Sequence, residues 1–140
     1  MTRPDDRVHD APPPAAGASA ALLPVLDAAS VQRLRELDPD GRNGLIARIL
    51  DTFVESLVRH ARELAQARAA GDHDALRRVA HTLKSSSASV GALDLSRTCA
   101  DVERRVREGD VAALDAPLDL LADHLQRLLV LAGRAAADPR

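Results

Sequence analysis

The chain has 140 residues, 46% hydrophobic and 29% charged, which suits one globular domain with a modest core and leaves no room for a nucleotide-binding domain beside a second one. Aromatic residues are reduced to Phe53, so the stacking platforms of nucleic-acid binders are excluded, and a net charge of -2 supplies no field to draw nucleic acid or an anionic membrane. The one cysteine, Cys99, excludes an internal disulfide and reads as a buried structural thiol, while apolar runs such as Leu128 to Ala132 are far too short to span a bilayer.

Residues 1–25 hold five of the eight prolines and no sustained period, so they read as a disordered tail, and the acidic residues among them argue against a signal peptide. A cytoplasmic location is the default expectation. From Asp27 a short helical piece follows, with Val31, Leu34 and Leu37 three apart. A long helix is expected over residues 43–70, where Ile46, Ile49, Leu50, Phe53, Leu57, Leu64 and Ala67 form one stripe and His60 fills its gap as a core or boundary histidine. Gly71 ends it and Asp72 caps the next. That second helix carries Leu76, Val79, Leu83 and Val90 and stops at Gly91. A third, over residues 94–108, repeats the spacing with Leu95, Cys99, Val102 and Val106, and a fourth, over residues 115–136, with Leu118, Leu121, Leu125, Leu128 and Ala132. Straight-chain residues dominate and β-branched ones are few, which favours helix over strand. The fold class predicted is all-α: an antiparallel up-and-down four-helix bundle over residues 26–136 with a short extra N-terminal helix.

Residues 80–92 read AHTLKSSSASVGA. At about 100° per residue His81 lies opposite the apolar stripe of its helix and points to solvent, with Asp74, Arg77, Arg78, Lys84, Ser85 and Ala88 on its own side. Small Ser85 and Ala88 leave the ring standing above a low surface that a second protein can reach. An imidazole in water titrates near 6.5, so much of it is neutral at cellular pH and its free nitrogen can attack phosphorus. Lys84, one turn on, and Arg78 would stabilise phosphoryl oxygens by charge-assisted hydrogen bonds. The alternative is a solvated helix face that happens to carry a histidine.

This stretch closely resembles the signature of histidine-containing phosphotransfer (HPt) domains, with Ala80, His81, Leu83, Lys84, Ser86, Gly91 and Ala92 matching. The Gly71-Asp72 pair before the helix, and Leu95, Cys99, Val102 and Glu103 after it, extend the likeness, and Ser85 departs from the glycine that the family most often carries. The resemblance implies a phosphocarrier with no ATP binding or kinase activity of its own. In it His81 is the phosphoacceptor, Lys84 and Ser85 support the phosphoryl group, Arg77, Arg78 and Ala88 meet the partner, and Gly91 is structural. The implied partners are the receiver domain of a hybrid sensor histidine kinase and that of a response regulator, meeting a monomer with no nucleic acid or membrane involved. No metal site or cofactor of its own is expected, and Mg²⁺ is expected from the receiver. A metal-binding bundle built on His60, His73, His81 and His124 is the rival, but no Glu-x-x-His or His-x-x-x-His pair stands on one inward face.

Overall fold

The computed structural model describes residues 19–134. A 3₁₀ turn at Leu23–Val25 leads into α1 (Ala28–Arg35), and four longer helices follow: α2 (Leu45–Ala70), α3 (His73–Val90), α4 (Leu93–Arg107) and α5 (Asp115–Leu131). No strand occurs among the described residues. Two-residue connections, Gly71-Asp72 and Ala92 after Gly91, reverse the chain, so α2, α3 and α4 run up and down beside one another. The α3–α4 seam is the most extensive, α3 also packs on α2, and α5 closes the bundle against α4 and α2. The antiparallel four-helix bundle with a short leading helix is therefore the fold.

Its core is aliphatic apart from Phe53, with Leu50, Leu57, Leu76, Leu83, Leu95, Val102, Leu121 and Leu125 almost fully buried. Burying a side chain of this kind contributes about 1.5–3 kcal/mol. Cys99 lies in the same core without any exposure, and burial, helped by the nearby Glu103 charge, pushes its thiol up to about 12. A thiol so held is inert, in keeping with a structural role.

Three boundaries differ from the sequence reading. The tail predicted for residues 1–25 stops earlier, because Ser19 and Leu22 are buried and Leu26 nearly so, packing on the bundle end; residues 1–18 lie outside the described residues. In α1 Val31 is buried, but Leu37 lies beyond the helix and is 68% exposed, so the predicted stripe ends one step short. The last helix stops at Leu131 rather than 136. Gly133 takes a φ of +74° there, and the Arg134 N–H donates to the Leu129 carbonyl at 2.7 Å, a left-handed stop that uses otherwise unpaired carbonyls. Residues 135–136 lie outside the described residues. At the other end of the long helix, Asp38 accepts from the backbone N–H groups of Asn43 (3.3 Å) and Leu45 (3.1 Å), capping α2 from seven residues upstream.

The two predicted punctuation marks act as expected. Asp72 accepts from the Ala75 N–H at 3.0 Å, and Gly71 closes α2 with φ +64°. Gly91 does more than end α3. Its carbonyl accepts from the Asp27 N–H at 2.9 Å, and a Cβ added there would sit 2.9 Å from Asp27 N and from the Ser30 Cβ, so α1 crosses where only glycine fits. Gly91→Ala combines a left-handed φ of +88° with that clash, and is expected to lower unfolding free energy by about 2 kcal/mol, read as the urea midpoint.

Candidate functional site

The polar face of α3 faces solvent beside α4. His81 is two turns into α3, and its side chain is 60% exposed, as the helical phase predicts. Lys84 stands on the same face one turn later and is half-buried. Across the seam α4 brings up Glu103, whose side chain is only 9% exposed. Ser96, two turns before Glu103, donates from Oγ to the Lys84 carbonyl at 3.0 Å and fixes the register of the two helices.

Glu103 joins both cationic candidates. Its Oε1 accepts from Lys84 Nζ at 2.6 Å, and its Oε2 lies 2.7 Å from His81 Nδ1. The Lys84 hydrogen bond holds the Glu103 carboxyl below the usual carboxylate range, burial pushes against this, and the His81 contact adds to the lowering. Glu103 is therefore ionised at neutral pH and can only accept. His81 Nδ1 must then carry the proton, which in the neutral ring leaves the lone pair on Nε2, the nitrogen turned from the carboxylate. A buried carboxylate thus fixes which ring nitrogen keeps its lone pair toward solvent, an arrangement of the kind in which a third group aligns a base.

The sequence alone pairs no carboxylate with His81 and gives Glu103 no role. The signal was present: Glu103 falls at the edge of the α4 stripe, four residues after Cys99 and next to Val102, where an acid must find a partner or protonate. Its partner lies 22 residues away on another helix, which no local pattern reveals.

The other predicted residues stand as follows. Ser85 and Ala88 are exposed beside His81 and leave the face low; the Ser85 carbonyl accepts from Ser89 Oγ at 3.0 Å. Arg77 and Arg78 both close on Asp74, Arg77 Nη2 at 3.0 Å from Oδ1 and Arg78 on Oδ2, so the two cations expected for a partner are already half-neutralised within α3. His73 is exposed at the start of α3, and His124 is half-buried on α5. No group of three or more His, Cys, Asp or Glu side chains able to hold a metal occurs among the described residues. No helix of the described residues is long and apolar enough to cross a membrane.

His60 is buried, as its place in the α2 stripe predicts, but it is not satisfied. Its Nδ1 has no hydrogen-bond partner, and Nε2 is 3.9 Å from Glu63. Burial lowers its pKa, Glu63 opposes this and Arg59 adds to it. The folded state therefore resists a proton that the unfolded chain accepts near pH 6.5, and stability present above that pH is lost as pH falls toward the lower folded value. His60→Leu removes the unpaired group and is expected to stabilise by about 1 kcal/mol, with a larger gain in melting midpoint at pH 5 than at pH 8.

The Hpt domain profile matches residues 48–130, a span that contains α3, α4 and nearly all of α2 and α5. Residues carrying the exposed histidine, its lysine and the buried acid all fall inside it, and the chain belongs to the Hpt domain family. Among solved structures it is similar to the crystal structure of histidine-containing phosphotransfer protein B (HptB) from Pseudomonas aeruginosa, with 29% identity, a TM-score of 0.65, and coverage of 82% of this chain and 96% of that one. No curated protein matches it.

Proposed function

We propose that this chain relays a phosphoryl group through His81, taking it from the aspartyl phosphate of a hybrid sensor kinase's receiver domain and passing it to the receiver aspartate of a response regulator. The observation that carries this reading is the 2.7 Å contact between the buried Glu103 carboxylate and Nδ1 of a ring that is 60% exposed. A histidine kept only for packing would be inside, and one merely solvated would not have a buried acid aligned on it.

In the transfer the Nε2 lone pair attacks phosphorus, the P–O bond to the donor aspartate breaks, and a carboxylate leaves. The Nδ1 proton stays in place, so the ring becomes cationic as the N–P bond forms, and Glu103 stabilises that charge at a site already built for it. Lys84 lies within reach of the incoming phosphoryl oxygens, and Ser85 leaves room and offers a hydroxyl. Arg77, Arg78 and Ala88 form the surface toward the receiver. Glu103 is committed to two neighbours and no second carboxylate joins it among the described residues, so these residues do not suit Mg²⁺; the ion belongs to the receiver's acidic pocket. The protein acts as a cytoplasmic monomeric carrier, without ATP chemistry.

The test is incubation with a phosphorylated receiver domain and Mg²⁺. Acid-labile, alkali-stable label on the wild-type chain, mapped to the peptide containing residue 81, is the expected result. Failure to take label from a panel of receivers, with the fold intact, would remove the proposal.

A further inference from the structure

A groove of ≈ 480 Å³ runs along the outer side of α4 beside the His81 site, lined by Lys84, Ala100, Glu103, Arg104 and Arg107 among others. Its cations are not equivalent. Arg97 is paired with Asp94, and Arg104 with Asp101 at 2.5 Å and with Glu108 at 3.3 Å. Arg107 is different: its side chain is 60% exposed, and among the described residues its ion-pair contact is Glu103 Oε2, at 4.0 Å, beyond hydrogen-bond reach. That oxygen is the one that holds His81 Nδ1. Guanidinium and imidazole are therefore neighbours around one carboxylate.

Charge makes the arrangement informative. With the ring neutral, Lys84 offsets Glu103 and Arg107 is left as one uncompensated positive charge. Transfer adds a dianionic phosphoryl group and one positive charge on the ring, which brings the four residues and the phosphoryl group to neutrality. Without Arg107 the phosphorylated site would carry a net negative charge beside a buried acid.

We propose that Arg107 is the second phosphoryl-holding cation of this site, turning from its loose contact with Glu103 onto the oxygens of phospho-His81. This rests on the reading of His81 as phosphoacceptor. The planar guanidinium suits a phosphoryl group, presenting paired N–H donors where lysine presents a point charge. Arg107 sets how strongly the phosphoryl group prefers this chain over its aspartyl partner.

The experiment is the equilibrium ratio of phospho-His81 to phospho-receiver with Mg²⁺, for wild type, Arg107→Ala, Arg107→Lys and Arg97→Ala. A residue that only docks the partner alters how fast equilibrium is reached and leaves the ratio between the separated proteins unchanged; so does one that supports the fold alike in both states. Arg107→Ala is expected to shift the ratio toward the receiver by a factor of about two to five, the range for a half-exposed charge pair. Arg107→Lys should recover part of the shift, Arg97→Ala should match wild type, and raised salt should shrink the difference. A wild-type ratio in Arg107→Ala, with label still on His81, would overturn the role of Arg107 alone. A wild type that takes no label would overturn the reading of His81 first.

Discussion

His81→Gln is expected to abolish phosphorylation of the chain by a receiver domain while leaving the bundle folded. The ring projects from the polar face of α3 and is 60% exposed, so its loss opens no cavity in a core built from Leu76, Val79, Ala80, Leu83 and Val90 on the other side. Glutamine also keeps an N–H donor for Glu103, which would otherwise lose one partner. What disappears is the lone pair, and an amide nitrogen has none to offer phosphorus. The histidines remaining among the described residues do not substitute: His60 is buried, and His73 and His124 have no carboxylate within ion-pair distance to align them. Circular dichroism and thermal midpoint should match wild type, and radiolabel transfer from the receiver should fall to background. Retained label would move the acceptor to another residue.

Glu103→Ala is expected to slow phosphorylation of His81 on the order of 100-fold, the range for a group that fixes a reacting base and balances its developing charge. Two losses combine. The ring no longer has a fixed Nδ1–H, so it divides between tautomers and rotates, and no carboxylate meets the positive charge that forms on it. The effect is held near the lower end of the range because the ring is open to water, which screens and replaces part of the interaction. Glu103→Gln should fall between, on the order of 10-fold. An amide has one accepting oxygen, whereas the carboxylate accepts from both Lys84 Nζ and His81 Nδ1, so the variant can serve only one of them well. Single-turnover phosphorylation rates at saturating receiver separate this from docking, since removing an aligner lowers the maximal rate more than the apparent affinity. An alanine variant reacting at the wild-type rate would show that His81 needs no orienting acid.

Most of the architecture was readable from periodicity. The stripes Leu76–Val79–Leu83–Val90 and Leu95–Cys99–Val102 are buried as a 3.6-residue helix requires, and the caps at Gly71 and Asp72 follow from their φ freedom and their carboxylate. The outward aim of His81 came from the same phase. What local patterns missed are contacts between residues far apart in the chain. Leu22, set among prolines and alanines, has no period to mark it, yet it is fully buried because the chain before α1 folds back on the bundle end. Asp38 caps a helix whose first turn lies seven residues on, and α1 fills the space that a side chain at Gly91 would need. Glu103 is the functional case of the same limit. Its spacing within α4 shows an acid at the edge of an apolar face, and only the α3–α4 register brings it to His81 and Lys84. Asp74 shows what the helical phase does reveal: placed on the same face one turn before Arg77 and Arg78, it engages both.

The central claim is that Nε2 of His81 carries the phosphoryl group while Glu103 retains the proton on Nδ1. Long-range ¹H–¹⁵N correlation spectra of the ¹⁵N-labelled protein, before and after phosphorylation by a receiver with Mg²⁺, test it atom by atom. The account predicts that the neutral form of the His81 ring in the free protein is the Nδ1–H tautomer, with phosphorus coupling at Nε2 and the Nδ1 proton still present after transfer. A free ring protonated at Nε2, or phosphorus bound at Nδ1 or on another residue, would contradict it.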